Sequence, residues 1–298
     1  MDAKEQILDL LEQLHSQTGI AFSIDENSKN DEDTIGILKY MLHAQHSGTS
    51  KEGFWRNLLL GILSPEEIIQ GAHRFHIERQ TLFFPIFVES KQPFSSMEQS
   101  VFSQYFSSGA DVLVPIDDCH TAILHQEKQP LSADSMKKKV YDLQAMLEAE
   151  AMVSINIAYD QLCETIDALP AIFLNISTAM EIGSIFYPTQ HIFWAHDLGM
   201  GKLIYHLPEN ICQEYIDDHF RGLQVDQLDE ETLHTIYVFL ESGLSIAECA
   251  RKLYLHRNTL IYRLDKIQKN TGLDIRKFDD AMTCKVALMM STYLLQKN

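Results

Sequence analysis

The chain has 298 residues, 45% of them apolar and 22% charged, and a formal net charge of −18. This composition excludes a disordered chain as the default and describes a globular protein with a real core, long enough for two domains at the usual span of roughly 100–200 residues each. No apolar run approaches the roughly 18 residues of a membrane span, and the opening "MDAKEQILDLLEQLH" lacks a basic start followed by an apolar stretch, so a cytoplasmic protein without membrane contact is expected.

The first fifty residues read as two polar helices around a short strand. "DAKEQILDLLEQLH" places Ile7, Leu8, Leu10, Leu11 and Leu14 at helical spacing, "GIAFSI" is compact and apolar, and "DEDTIGILKYMLHAQ" is helical again. From Phe54 to about His206 helices alternate with short apolar strands. "FWRNLLLGIL" precedes "SPEEIIQGAHRF", where Ser64, a proline at the first helical position and Glu67 form a capping box. The stretches 81–88, 111–116 and 120–125 read as strands, 132–150 as a long amphipathic helix, 151–158 as a strand, and 159–186 as helical with an interruption near Pro170. "HIFWAH" and "KLIYHL" close this region. From about Leu207 to Asn298 no convincing strand is found, and the change sets a boundary near 207–228, in the polar "PENICQEYIDDHFRGLQVDQLDEE".

The chemistry concentrates near the C-terminus. Residues 251–276 carry seven cationic side chains against Asp265 and Asp274, a local +5, so the rest of the chain carries −23. A polyanion is repelled by such a body and steered toward one face. Ser245 with Glu248 predicts a capped helix running from Ile246 through Leu253, and after "YLH" a second helix begins near Arg257. On it Leu260, Leu264 and Ile267 fall on one face, Asn258, Tyr262, Lys266 and Lys269 on the opposite face, and Arg257 and Arg263 flank the apolar stripe. A short helix, a tight turn and a second helix with a basic outer face make a helix-turn-helix, whose second helix can enter a major groove. Tyr254 stands in the turn where glycine is common, so the turn must form without a permissive residue.

"AECARKLYLHRNTLIYRLDKIQKNTGLDI" closely resembles the C-terminal helix-turn-helix of the PucR/CdaR family of bacterial transcription regulators, related to the Fis-type DNA-binding fold. The likeness extends through "LDEETLHTIYVFLESGLS" and "DDAMTCKVALMMSTYLL", roughly residues 226–294, and the family tolerates a bulky residue at the Tyr254 position. A weaker resemblance covers the middle: "FWRNLLLGILSPEEIIQGAHRFHI" and the strands after it look like the divergent GGDEF-like domain of CdaR-type proteins. No Gly-Gly-Asp/Glu-Glu-Phe turn is present, which implies that cyclase chemistry has been lost.

Within the motif, Arg257 is the candidate for guanine O6/N7, and Asn258 for adenine or for capping the helix. Thr259, Tyr262, Arg263 and Lys266 are candidates for phosphate contacts, and His256 for either an N-cap or a groove contact. Other clusters read more weakly. His73 with His76 spaces two imidazoles for a metal, and His120 with His125 flanks a strand, but neither has a carboxylate or thiolate in register. Asp117 and Asp118 fit a magnesium palm or a polar turn, and Ser154 and Asp160 belong to no readable triad. The five scattered cysteines, with no C-x-x-C pair, are expected as reduced and mostly buried thiols.

The expected fold is α+β: an N-terminal helical segment (1–50) that packs or dimerises, a degenerate GGDEF-like α/β sheet domain (51–206) and an all-helical helix-turn-helix domain (207–298). The expected function is sequence-specific binding of double-stranded DNA by a non-enzymatic transcriptional regulator, with helix 257–269 reading the major groove. It would act as a homodimer or higher even oligomer, controlled through the middle domain by a small-molecule effector, with no cofactor or metal. The alternatives are a nucleotide or metabolite receptor or enzyme in the middle domain, with DNA binding secondary, and a helical module whose basic face binds an acidic protein.

Overall fold

The structure, a computed structural model, describes residues 7, 8, 10–12, 50–106, 111–151, 154–220 and 228–297. The expected strand "GIAFSI" and helix "DEDTIGILKYMLHAQ" lie outside the described residues. Ile7, Leu8 and Leu10 to Glu12 are helical, with Ile7 and Leu10 buried. The class is α+β, and the chain divides into two compact units, Met1–Thr178 and Ala179–Asn298.

In the first unit α1 (Lys51–Leu59) leads to α2 (Pro65–Arg74). The expected capping box is complete: Ser64 Oγ accepts from the Glu67 N–H at 3.3 Å, and Glu67 Oε2 accepts from the Ser64 N–H at 2.8 Å. The two histidines of "HRFH" do not share a helix, because α2 stops at Arg74 and His76 turns left-handed with φ 53°. Among the described residues no group of three or more His, Cys, Asp or Glu gathers as a metal site.

Strands β1 (Phe83–Ser90), β2 (Val112–Pro115), β3 (His120–Gln126) and β4 (Ile155–Tyr159) form an antiparallel array in the order β2-β3-β1-β4. Three features depart from expectation. Helix α3 (Ser96–Tyr105) was not legible, since "SMEQSVFSQY" has little apolar periodicity; it starts where the Glu98 carboxylate accepts from the Ser95 N–H. Helix α4 (Ala133–Ala151) continues through Ala151, so β4 begins only at Ile155. Pro170 interrupts nothing: a 3₁₀ turn (Ile166–Ala168) leads into α5 (Leu169–Phe186), and the proline occupies its first turn, where no N–H is needed.

Pro85 sits in β1 between two neighbours, where a ring without an N–H should break the ladder. Phe83 exchanges both backbone hydrogen bonds with Cys163, at 2.8 Å each, so Phe83 and Pro85 point their backbone groups toward β4. Phe87 pairs with Ala158 and Phe83 with Cys163: four steps along β1 oppose five on the other strand. The absent donor therefore falls in a bulge, where the ladder is already interrupted. One face of β1 carries Phe84 and Ile86, which share a cavity wall with Leu143 of α4. The other carries Phe83 and Phe87, in edge contact with Trp55 and Phe173.

Helix α5 corrects the expectation that no run reaches membrane-span length: Ile166–Phe186 has 21 residues and a mean hydropathy of 1.4. Leu169, Phe173, Ile176, Ala179, Met180 and Ile182 are buried on one side of the helix, and Leu174 on the other is exposed, with 39% of the apolar window buried in all. The second unit holds β5 (Ile192–Trp194), α6 (Gly199–Tyr205), α7 (Glu209–His219), α8 (Glu230–Glu241), α9 (Ile246–Lys252), α10 (Arg257–Thr271) and α11 (Phe278–Lys297). "KLIYHL" thus belongs to a helix, and the polar stretch expected as a boundary forms α7, anchored by buried Cys212 and Ile216. One buried cluster joins Cys212, Ile216, Ile236, Phe239, Cys249, Leu260, Leu264, Ile267, Cys284 and Leu288. All five thiols are free, four of them buried, and burial pushes the Cys284 thiol up to about 12.

Two outcomes follow from this packing. Leu264→Asp, which puts an unpaired carboxylate at a site 1% exposed, should cost several kcal/mol and unfold the second unit in thermal melts, whereas Lys269→Ala on the exposed face should leave the melting midpoint within about 0.5 kcal/mol. Equal midpoints would show α10 to be rotated otherwise. In the first unit His120 lies between Asp117 (Nδ1, 2.8 Å) and Glu89 (Nε2, 3.3 Å), and these two hydrogen bonds raise its pKa from 6.5 to about 9 against the opposing effect of burial. A raised pKa means that the folded state holds a proton the unfolded chain has released. Stability should therefore fall between pH 6.5 and 9, by about 1–3 kcal/mol, with the contribution intact below that window. Urea melts at the two pH values check this, and His120→Gln should abolish the difference attributable to the site.

Candidate nucleic-acid interface

Helix α8 starts at Asp229, whose carboxylate accepts from the Thr232 N–H at 2.7 Å, and carries Glu230 and Glu231 in its first turn. That hydrogen bond holds Asp229 below the usual carboxylate range. The helix ends through Gly243 and Leu244, both at φ 60°, which turns the chain into α9. Ser245 caps α9 by accepting from the Glu248 N–H at 3.3 Å. The reciprocal half of the expected capping box is replaced by an ion pair, because Glu248 reaches outward to Arg251. Helix α9 stops at Lys252, one residue short of expectation, with Leu253 as its C-cap.

The turn is made as the sequence demanded. Tyr254 adopts φ 55°, a conformation costing a non-glycine residue about 1 kcal/mol, and its side chain is 96% exposed. The Leu255 N–H donates to the Ala250 carbonyl at 2.8 Å and closes the turn. His256 then serves as N-cap of α10: Nδ1 accepts from the Asn258 N–H at 3.3 Å, which makes this ring nitrogen the unprotonated one. At the far end the helix runs to Thr271, two residues beyond the expected end, and Gly272, at φ 84°, supplies the left-handed C-cap.

Leu260, Leu264 and Ile267 are buried as a stripe, joined by Thr271. That rotation puts Arg257, Asn258 and Thr259 on the exposed first turn and Tyr262, 71% exposed, one turn further on. Among the described residues Arg257 has no ion-pair partner. Arg263 and Lys266 do have partners. Arg263 Nη2 lies 2.6 Å from Glu231 Oε1 and its Nη1 donates to Thr235 Oγ1 at 3.4 Å; Lys266 Nζ lies 3.5 Å from Asp229. Arg276 is fully engaged as well, with Asp274 (2.6 Å), Asp265 (2.8 Å) and Gln268 (2.8 Å), so its charge locks the chain after α10 onto the helix. Its guanidinium holds Asp274 below the usual range.

The local +5 is therefore uneven. Among the described residues Lys252 and Arg257, around the start of α10, and Lys269, in its last turn, carry no ion pair, while Arg263 and Lys266 between them are met by the acidic start of α8. Sequence reasoning did not anticipate Asp229 and Glu231 as partners, although the run "DEE" ahead of a helix was visible. Tyr254, by type an awkward turn residue, is the most exposed large hydrophobic side chain among the described residues and stands just ahead of α10.

Residues 232–290 match the model of the PucR C-terminal helix-turn-helix domain. The chain is 28% identical over 148 residues to the purine catabolism regulatory protein of Bacillus subtilis (strain 168), covering 49% of this chain and 28% of that protein. It is 24% identical over 238 residues, 75% of each chain, to the uncharacterized protein YxkF of Bacillus subtilis (strain 168). It is 22% identical over 158 residues to the carbohydrate diacid regulator of Escherichia coli (strain K12), covering 53% of this chain and 41% of that one. The match thus takes in less than half the length of either named regulator. Residues 232–290 thus carry a helix-turn-helix of the PucR C-terminal type, and the chain is similar to the two named regulators.

Proposed function

We propose that this chain is a cytoplasmic, non-enzymatic transcriptional regulator that binds double-stranded DNA in a sequence-specific way through α10. The observation that carries this reading is the start of that helix: Arg257, Asn258 and Thr259 stand exposed on its first turn, over a stripe of buried leucine and isoleucine that fixes their direction. A helix docked by its N-terminal end brings these residues to base edges. Arg257 is placed to give two parallel hydrogen bonds to guanine, and Asn258 to meet adenine. Thr259, Tyr262, Arg263 and Lys266 take phosphates further along, Arg263 and Lys266 by sharing or leaving Glu231 and Asp229. His256 sets the start of the helix as its cap.

One such helix reads one half-site, so the working unit is a homodimer or higher even oligomer on half-sites about 34–36 Å apart. Residues 207–298 supply the DNA-binding part. Residues 51–206, read as GGDEF-like from their resemblance to the middle domain of CdaR-type proteins, supply control through a small-molecule effector.

The test begins with fragments of the source genome selected on the full chain, followed by titration of operator and scrambled duplexes at several salt concentrations. Binding should weaken with salt at a log–log slope near −0.9 per phosphate neutralised. Arg257→Ala should cost about 1–3 kcal/mol on operator and much less on scrambled DNA. Arg263→Ala should weaken both duplexes by similar factors and reduce the slope by about one. Glu231→Gln, which removes the competing carboxylate, should strengthen both. Loss of both affinities by Arg257→Ala with loss of operator alone by Arg263→Ala would mean that the helix docks in the opposite sense.

A further inference from the structure

The first unit contains a cavity of about 170 Å³ between the sheet and α4. Its walls are apolar: Phe84 and Ile86 from one face of β1, Leu143 from α4, and Phe106 at the end of α3. Two polar groups meet at one side. His125 enters as the cross-strand partner of Phe84, and Lys139 comes from the turn of α4 before Leu143.

These polar groups are held by carboxylates behind them. Asp111, with its side chain 2% exposed, lies 2.7 Å from His125 Nδ1 and also accepts from the Gln126 N–H at 2.9 Å. Lys139 Nζ lies 3.0 Å from Glu127 and 3.1 Å from His125 Nε2. An ammonium only donates, so Nε2 accepts where it meets Lys139 and Nδ1 then donates to Asp111; Nε2 also lies 3.3 Å from Glu127 Oε1. One Lys139 donor is given to His125, while its approach to Glu127 is an ion pair, so the ammonium beside the cavity keeps donors for an acceptor there.

Size and charge together select the occupant. An apolar cavity of about 150 Å³ holds a benzene molecule, so this one admits a single ring, or an equivalent short chain, with a small substituent. One ammonium and one imidazole stand against two carboxylates, which leaves no surplus positive charge for an anion. A cation would meet the Lys139 ammonium at the cavity wall. We infer that this cavity binds a small uncharged organic molecule of about one ring in size, carrying an oxygen that accepts from Lys139. The reading names a chemical class for the effector proposed above, yet it stands apart from DNA recognition: failure of the binding described next leaves the operator titrations untouched, and the reverse also holds.

The test uses the full chain and benzyl alcohol as probe, with benzoate and benzylamine of nearly the same shape as charge controls, followed by heteronuclear NMR titration at neutral pH. Saturable shifts confined to residues around the cavity are expected for benzyl alcohol, with each charged analogue at least about tenfold weaker. Lys139→Met, which keeps the stem and removes the donor, should weaken benzyl alcohol by about tenfold. Leu143→Trp, which fills the space with an apolar ring, should abolish binding, and its spectrum reports whether the fold is kept. No saturable binding, tighter binding of benzoate or benzylamine, or unchanged binding in a folded Leu143→Trp chain would each overturn the inference.

Discussion

The seating of α10 on its stripe of Leu260, Leu264 and Ile267 is the constraint on which the candidate interface depends. A helix has one rotational freedom that matters for recognition, and three large side chains at 0–1% exposure remove it. Once they are buried with Ile236, Phe239, Cys249 and Cys284, the outward direction of Arg257, Asn258 and Tyr262 is no longer adjustable. Polar contacts then finish what packing begins. His256 sets where the helix starts, Gly272 where it ends, and Arg276 ties the following chain to the same helix through Asp265 and Gln268.

The electrostatics of this region are less simple than a basic patch on an acidic body. The acidic first turn of α8 complements its own helix dipole and at the same time meets Arg263 and Lys266. The two cations are thus pre-positioned, at a cost in free charge. Arg257 at the start of the helix and Lys269 in its last turn carry no such constraint, and the two compensated cations lie between them. Exposed pairs of this kind hold side chains with about 1 kcal/mol or less, weak enough for a phosphate to replace the carboxylate.

Much of this was legible in the sequence where one local rule acted alone. Val112–Pro115 and His120–Gln126 are strands because short apolar runs lie between turn residues, and Ser64, Pro65 and Glu67 start a helix by hydrogen bonds within a single turn. The stripe of α10 is visible because three residues at one period suffice to define a face. Failures came where a second influence intervened. Pro170 looked like a break because its place relative to the helix start was unknown, and "SMEQSVFSQY" has a helix start but little periodicity. In the site, residue type marked Arg263 and Lys266 as cations but could not disclose that Glu231 and Asp229 fold beside them, since that proximity belongs to the packing of two helices.

Pro85 has a consequence for the sheet beyond its own missing hydrogen bond. Its ring occupies the point where four steps along β1 oppose five on the partner strand. If β4 slipped by one position to erase the bulge, a continuous ladder would need a donor at Pro85 that does not exist, and every side chain on β4 would exchange faces. The proline thus acts as a register pin. It penalises the otherwise attractive regular alternative and leaves the irregular pairing as the lower state. The faces held in this way are those of β4; on β1, which its regular pairing with β3 also fixes, Phe84 and Ile86 line the cavity with Leu143 while Phe83 and Phe87 meet Trp55 and Phe173.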